Sequence, residues 1–462
     1  MRNGFWCGLV LLFVVAPMSA ARDLYVNPIT GDERNDGLAA VPGAAGVGPV
    51  KTIHRAVRNA QPGDTVHFAP IDECYYESAV FHDRICPADK PITLDGHGAT
   101  ITGAERMDLA TWEQVAPGRF RKIGLMRMDS AILGRWFFRI DGRMQHMGRT
   151  SKGPSAKLKQ PVELQPGEWT FVEAEDAFYL QLDPVKKPSD YVVEAPVRSA
   201  GVQISGRNEN IVIRNLNTQH VYNDGFNIHG YCRGVLLENV SAVECGDDGI
   251  SAHDDCRIKV DGFTSIGNST GFCHTNDSHS DSNRVLIRDC LGFDVFVLDT
   301  GRHTLSNSIV YSSAAQSVVV TGPRAGKDGV VPKGRCTLEL DNTAIVRRGR
   351  NTSLRLAGGS IVKARRSVIA GFRIEANGES LTLDDCIIAG IAETRESFVI
   401  GPQTKFGGSG NLYDMEFDGP HPGAKQTGAR AESVRFREPF DGTITEPADY
   451  SGGVDASKLP KP

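Results

Sequence analysis

Acidic and imidazole side chains concentrate in one part of the sequence, between residues 223 and 281. The candidate catalytic residues there are Asp224, Asp247, Asp248, His253 and His274. Neighbouring carboxylates beside a third should repel one another, which raises one pKa as a general acid requires, or else creates a cation site. These residue types therefore indicate either acid–base catalysis or the binding of a divalent cation.

Further polar residues of the same region could bind a substrate or a metal ion. The candidate substrate-binding residues are Asn227, His229, Asp255, Asn276 and Lys259. Ca²⁺ takes six to eight oxygen ligands, and its candidate ligands here are Asp247, Asp248 and Asp277. His229 and His253 hold equivalent positions in the repeat described next, so their rings should stack.

An internal repeat of about two dozen residues predicts how these groups meet. Its periods start at Asp224, Asp248, Thr270 and Asp294, so the steps are 24, 22 and 24 residues. Each period holds at least two short alternating strands, joined by turns rich in Asn, Asp and Gly, without room for a helix. A coil that returns to its start after each turn provides the crossover that parallel strands need, and it stacks equivalent strands about 4.8 Å apart.

Apolar residues that point into such a coil form continuous stacks. One predicted stack contains Phe226, Ile250, Phe272, Phe296 and Val318, and a second ladder begins at Ile211, Val235, Ile258 and Val285. The sequence therefore predicts an all-β fold, a right-handed parallel β-helix. We expect this solenoid to carry an N-terminal capping helix and a small β-rich insertion.

The rest of the chain divides around this solenoid. Residues 1–21 are predicted to be a secretory signal peptide, because Arg2 precedes a short apolar run and small residues follow it. Residues 22–123 are expected to form an N-terminal cap and the first coils, since Thr52 to Ala60 has the apolar spacing of a covering helix. We expect a β-rich insertion at 124–191, the β-helix core at 192–390, and an irregular C-terminal cap and tail at 391–462.

Composition limits the partners and the compartment. The formal net charge is -5 and no basic stripe is visible, so nucleic acid is not an expected partner. Beyond the signal peptide no segment has about 18 consecutive apolar residues, so no membrane span is predicted. We expect a monomer that is secreted or periplasmic after removal of the signal peptide. Disulfides are permitted there, and Cys74 and Cys86 are the first candidate pair.

Two consecutive coils carry a family resemblance. The sequence from Asn223 to Ile228 (Asn-Asp-Gly-Phe-Asn-Ile), followed by Asp247 to Ile250 (Asp-Asp-Gly-Ile), resembles the Asn-x-Asp and Asp-Asp rungs of polygalacturonase-type glycoside hydrolases. The wider chain is similar to the pectate-lyase-like β-helix superfamily. The resemblance implies that Asp224, Asp247 and Asp248 face a glycosidic bond, one as general acid and the others holding or activating water. Such inverting chemistry needs carboxyl groups roughly 6.5 to 9.5 Å apart.

Three functions remain open at this point. Hydrolysis of a polysaccharide, which requires no cofactor, stands slightly ahead. The second is a Ca²⁺-dependent lyase that acts on uronate-containing glycans by β-elimination, with His253, His274 or Lys259 removing the C5 proton. The third is a non-catalytic carbohydrate-binding or surface protein.

Overall fold

The computed structural model describes residues 20–326, 329–347, 353–371, 373–389, 397–414, 416–418, 435–436, 444–445 and 453–460. The predicted signal peptide, apart from Ala20 and Ala21, lies outside these residues. In the part of the chain that is described, no helix has the length and apolar character needed to cross a membrane.

The chain folds as a right-handed parallel β-helix, which confirms the predicted fold class. One side of the coil is a sheet of eleven described strands, called sheet 1 from here on. Its strands are Ala79–His82, Val202–Ser205, Phe226–Ile228, Asp248–Ala252, Thr270–His274, Phe293–Leu298, Gln316–Thr321, Ser353–Ala357, Arg373–Asn377, Ser397–Ile400 and Glu416–Asp418.

The remaining sides of the coil belong to sheet 2, which has eighteen described strands. They are Asp23–Val26, Thr65–Phe68, Ile92–Asp95, Thr100–Thr102, Arg207–Glu209, Ile211–Arg214, Asn217–Gln219, Tyr231–Val243, Asp255–Ile266, His279–Arg288, Gly301–Ser312, Cys336–Arg347, Ser360–Arg365, Val368–Ala370, Ser380–Asp384, Ile387–Ala389, Lys405–Ser409 and Leu412–Asp414. Left-handed residues interrupt the long strands at equivalent places, with φ of 50° at Asn239, 82° at Gly262 and 49° at Asn307. Asn and Gly tolerate this conformation, so the sequence allows each coil to turn a corner there.

The interior of the coil is an apolar stack, but one predicted member is wrong. The stack in the structure is Phe226, Ile250, Phe272, Val295 and Val318. Thr270 pairs with Phe293, so this coil has one residue fewer than an alignment on Asp294 assumes. A slip of one residue moves a side chain to the other face of a strand, so Val295 is buried while Phe296 is only half-buried.

The second predicted ladder is also wrong at its fourth member. Ile258 pairs with Ser280, whereas Val285 pairs with Phe263, beyond the corner at Gly262. A polar stretch on the strand His279–Arg288 occupies the coil position where the sequence pattern suggested apolar residues. The apolar run that starts at Val285 therefore lies on a different side of the coil from Ile258.

A short helix covers the N-terminal end of the solenoid, as predicted. It spans Ile53–Asn59, and the Thr52 side chain accepts a hydrogen bond from the backbone N–H of Arg55 at 3.2 Å. This contact satisfies one of the free N–H groups at the start of the helix. The buried face consists of Ile53, Ala56 and Val57, so the helix shields the apolar interior from water.

An insertion leaves the solenoid after the strand Thr100–Thr102 and forms two antiparallel sheets. The first contains Ala104–Arg106, Phe138–Ile140, Arg143–Gln145 and Val193–Pro196, and the second contains Glu113–Ala116, Arg119–Ile123, Trp169–Val172 and Ala177–Gln181. Short helices lie at Leu109–Thr111, Ser130–Arg135, Pro161–Glu163, Glu173–Glu175 and Pro188–Asp190. Trp136 and Trp169 are fully buried in its core. By strand pairing the insertion spans 104–196, which is wider than the 124–191 suggested by sequence.

Parallel pairing continues beyond residue 390, where the sequence pattern fades. Ile374 pairs with Phe398, and Phe398 pairs with Phe417. The described residues 453–460, with a short helix at Ala456–Lys458, pack Leu459 into an apolar cluster with Ile309 and Tyr311 on the outside of sheet 2. A two-stranded ladder joins Arg435–Phe436 to Ile444–Thr445.

No disulfide joins the cysteines of the described residues. They include Cys74 and Cys86, so the expected disulfide between these two residues is not present. The Cys74 sulfur instead accepts a hydrogen bond from the side chain of Gln219 at 3.4 Å.

Candidate active site

Three carboxylates meet on consecutive coils at the edge of sheet 1. Asp224 precedes the strand Phe226–Ile228, and Asp247 and Asp248 stand at the same place one coil later. One oxygen from each carboxylate can be chosen so that all three lie within 4.8 Å of one another. The exposed fractions are only 3% for Asp224, 2% for Asp247 and 1% for Asp248. The coil repeat therefore brings these three predicted residues together, but in a closed site.

Asp224 is held by amide donors and carries a proton more readily than an ordinary carboxyl. The side-chain amides of Asn223 and Asn227 donate to Oδ2 at 3.0 and 2.7 Å, and the backbone N–H of Asp248 donates to Oδ1 at 3.1 Å. Burial and the charge of Asp247 raise the pKa of Asp224 to about 7. Asn227, predicted to bind substrate, thus orients Asp224 in this structure.

The countercharges come from the insertion. The Lys152 ammonium forms ion pairs with Asp247 and, at 2.7 Å, with Asp248. Arg135 Nε lies 2.8 Å from the second oxygen of Asp247, and the Ser151 hydroxyl donates to Asp247 as well. The loop that carries Ser151 and Lys152 therefore closes over the carboxylates.

These contacts and burial shift the pKa values of the adjacent Asp247 and Asp248 in opposite directions. Burial opposes ionisation of Asp247, but Lys152 and Arg135 outweigh it and hold its pKa below the ordinary value. Burial and the charge of Asp247 instead raise the pKa of Asp248 well above its ordinary value. Burial also acts against the charge of Lys152, but Asp247 and Asp248 outweigh it and keep its pKa well above the ordinary value, so the ammonium stays charged.

Glycines on two coils allow the insertion to approach this closely. A Cβ on Gly246 would lie 2.1 Å from the carbonyl oxygen of Arg135, and a Cβ on Gly292 would lie 2.6 Å from that of Lys152. Between them, the backbone N–H of Ser151 donates to Ser269 Oγ at 3.2 Å. Backbone atoms cannot give way as a flexible side chain does, so these positions require glycine for the observed docking.

His253 lies beside the carboxylates with a favoured tautomer. Its ring stacks on that of His229 at 4.4 Å, as their equivalent positions predict. The Thr275 hydroxyl lies 3.2 Å from both Asn276 Oδ1 and His253 Nδ1, and when it donates to the Asn276 oxygen it accepts from Nδ1. Nε2 therefore keeps a lone pair, and it is buried without a hydrogen bond among the described residues. Burial and the neighbouring His229 lower the pKa of His253 to about 4, so the ring is neutral at physiological pH.

His274 does not join this group. It shares a strand face with the inward-pointing Phe272, is 1% exposed, and stacks on His303 at 5.2 Å inside the coil. Burial and the nearby His253 lower the pKa of His274 to about 3. A substrate on the outer surface cannot reach an imidazole in this position.

Three further predicted residues lie away from the carboxylates. Asp255 pairs with Arg233 and Arg257, and Asp277 pairs with Arg257. Lys259 is exposed on sheet 2 in an open cleft. The structure does not bring Asp277 to Asp247 and Asp248, so it does not assemble the predicted set of Ca²⁺ ligands.

Sequence reasoning missed the residues that complete the site. Arg135, Ser151 and Lys152 belong to the insertion, and Cys273 lies on the outward face of the next coil, paired in register with Ser251. A sequence signal did exist for the cations, since three buried carboxylates need opposite charge. The sequence could not say which of the many lysines and arginines supplies it.

Fold and site together define a β-helix protein with a buried carboxylate cluster that an insertion seals. Neither the protein-family models nor the curated proteins compared with the sequence give a match. The solved structures that are similar in fold include the following two. One, described as the complex structure of XylC with xylose, has a TM-score of 0.54 and 11% identity, and the match covers 86% of this chain and 84% of that one. The other, described as a glycoside hydrolase, has a TM-score of 0.53 and 10% identity over 84% of this chain and 97% of that one.

Proposed function

We propose that the protein cleaves glycosidic bonds of a polysaccharide, with Asp224 as general acid and Asp247 as its ionised partner. The observation that supports this is a pair of neighbouring carboxyl groups whose surroundings move their pKa values in opposite directions. Such divergence is how two chemically identical groups take acid and base roles at one pH. Asp224, with a pKa of about 7, can give a proton to a leaving oxygen near neutral pH.

The spacing of the carboxylates favours a double displacement. One oxygen of each group can be chosen so that the two lie within 4.8 Å, which shows a close approach, whereas inverting enzymes hold their carboxyl groups roughly 6.5 to 9.5 Å apart to admit a water. Retaining enzymes place the two groups about 5 to 5.5 Å apart. In this proposal Asp247 attacks the anomeric carbon while Asp224 protonates the leaving oxygen. Water then releases the sugar, and Asp224 recovers its proton from that water.

Catalysis by these residues requires that Lys152 move. Its ammonium lies against both Asp247 and Asp248, where the sugar would have to bind, and its side chain is 21% exposed. The neighbouring Ser151 and the Lys152 backbone contact the solenoid through Ser269 and Gly292. Displacement of this loop would open the site and free Asp247 for attack.

The similar solved structures support a carbohydrate substrate, because one is described with xylose and the other as a glycoside hydrolase. The proposal includes a monomer that acts outside the cytoplasm after loss of residues 1–21. Hydrolysis itself would need no metal ion.

A screen for cleavage tests this function. The mature protein is incubated with acidic and neutral polysaccharides, and both reducing ends and ultraviolet absorbance are recorded. We expect new reducing ends without a new absorbance, and loss of activity in Asp224→Asn and Asp247→Asn. Asp281→Asn, which alters an exposed carboxylate on sheet 2, is the matched control and should remain active. Retention of glycans without turnover, unaffected by the Asp224 and Asp247 variants, would show a binding protein instead.

The lyase alternative rests on His253. Its neutral ring and the free lone pair on Nε2 suit a base that removes a proton. That reaction leaves a conjugated double bond, so the product would absorb ultraviolet light. Sensitivity to a chelator and loss of activity in His253→Gln would then favour elimination over hydrolysis.

A further inference from the structure

A second group of potential ligands adjoins the carboxylates. Asp248, His253 and Cys273 each offer a ligand atom, and the three atoms lie within 4.8 Å of one another. We propose that these residues bind a transition-metal ion of the zinc class.

The donor types favour zinc over calcium. Thiolate sulfur and imidazole nitrogen are preferred zinc ligands, and a carboxylate oxygen completes common zinc sites, whereas Ca²⁺ selects oxygen alone. With bonds of about 2.0 to 2.3 Å and tetrahedral angles, ligand atoms lie roughly 3.3 to 3.8 Å apart. Side chains already within 4.8 Å need to close by only about 1 Å to reach this geometry.

His253 is oriented as a metal ligand requires. The chain of hydrogen bonds from Nδ1 through Thr275 to Asn276 favours the tautomer with its proton on Nδ1. Nε2 is left with its lone pair in a buried place without a hydrogen bond among the described residues. Metal-bound histidines are typically held in this way through their other nitrogen. An unpartnered buried nitrogen is unfavourable, and a metal ion would satisfy it.

Asp248 and Cys273 can both serve the same ion. The ion pair with Lys152 uses Oδ1 of Asp248, so Oδ2 can face a metal. Cys273 lies on the outer face of sheet 1, the face that the insertion covers, and its thiol is fully buried. Binding of M²⁺ forms an M–S bond and breaks the S–H bond, and the proton leaves to the buffer without any change of oxidation state.

Three protein ligands leave the fourth tetrahedral position open for water or a substrate oxygen, which is typical of catalytic rather than structural zinc. This inference does not depend on glycosidase activity, because Asp224 and Asp247 are not among the ligands.

Cobalt provides the first test. The mature protein is freed of metal with a chelator, and Co²⁺ is titrated while the near-ultraviolet and visible spectra are recorded. We expect one Co²⁺ per chain, with a thiolate-to-cobalt charge-transfer band. Cys273→Ser should abolish that band, and His253→Gln should weaken binding at least about tenfold. Cys290→Ser, which alters another buried cysteine outside the cluster, should bind like the wild type.

X-ray absorption at the zinc edge of the wild-type protein covers the case in which a variant does not fold. One sulfur at about 2.3 Å with nitrogen or oxygen at about 2.0 to 2.1 Å is expected. A sulfur-free shell, no stoichiometric uptake, or displacement of cobalt by an equal concentration of Ca²⁺ would overturn the proposal. A protein that binds cobalt as expected but cleaves no polysaccharide would support this site and refute the proposed function.

Discussion

Replacing Lys152 by methionine should destabilise the protein in a way that depends on pH. Methionine keeps the size of the side chain but removes the charge that neutralises Asp247 and Asp248. Removing one partner of a buried ion pair costs about 3 to 5 kcal/mol, because the other charge is left without compensation. Lys152 serves two buried carboxylates, so we expect a loss of about 4 kcal/mol near pH 7.

The sign of the pH dependence follows from the two pKa directions. The lowered pKa of Asp247 stabilises the folded state above the ordinary value of 3.8, and this contribution is lost as pH falls through the folded pKa. The raised pKa of Lys152 stabilises the folded state below 10.5, and this contribution is lost as pH rises through the folded pKa. The Lys152→Met penalty should therefore be largest between about pH 5 and 9, and it should vanish as pH falls through the folded pKa of Asp247, below which Asp247 is protonated with or without Lys152.

Thermal unfolding at several pH values measures this effect. At about 2.1 cal/mol/K per residue, a chain of about 440 residues has an unfolding entropy near 0.9 kcal/mol/K, so 4 kcal/mol corresponds to a fall of roughly 4 °C in Tm. Lys159→Met is the matched control, because Lys159 pairs with Glu168 on the surface of the same insertion and should matter by less than about 1 kcal/mol. A Lys152→Met variant as stable as Lys159→Met at pH 7, or one whose penalty does not change with pH, would refute the reasoning.

Three further predictions concern the acid, the docking of the insertion and the corrected register. Turnover should fall as pH rises through about 7, because Asp224 then loses the proton it must donate, and a rate profile that is flat from pH 5 to 9 would argue against this role. Gly246→Ala should destabilise the protein by about 1 to 3 kcal/mol, because the new Cβ meets the Arg135 carbonyl, and it should expose the insertion to limited proteolysis. The control Gly134→Ala places its Cβ in open space and should be neutral. Phe226→Ala should cost about 3 to 5 kcal/mol in urea unfolding and Phe296→Ala clearly less, since only Phe226 points into the coil; equal costs would contradict the register.

The sequence was sufficient to predict the coil because each period repeats the same turn and the same inward apolar residue. The predicted register was wrong from residue 293 onward, where a coil of 23 residues follows coils of 24 and 22. Asp294 resembles the aspartates that start earlier periods, so the pattern placed the start one residue too late. Asp294 is instead fully buried, and its carboxylate accepts a hydrogen bond from Ser312. Coil length varies by single residues at the turns, and strand periodicity alone cannot locate such a change.

The site was predictable only where the repeat governs it. Asp224, Asp247 and Asp248 meet, and His229 stacks on His253, because the coil spacing alone sets their positions. The sequence did not predict that His274 points into the coil, because an imidazole in an alternating strand fits either face. Lys152 could not be predicted because its contact joins segments 95 residues apart that no repeat relates.

The docking of the insertion has a mechanical consequence for the whole molecule. In a solenoid each turn touches only its neighbours, so unravelling can begin at one end and proceed turn by turn. Here the insertion leaves an early turn and contacts later turns at Gly246 and Gly292, so it links turns that are not neighbours. Pulling the chain from its ends should therefore give a single large rupture force at these turns before the regular series of small steps. The contacts between the insertion and the later turns must break first.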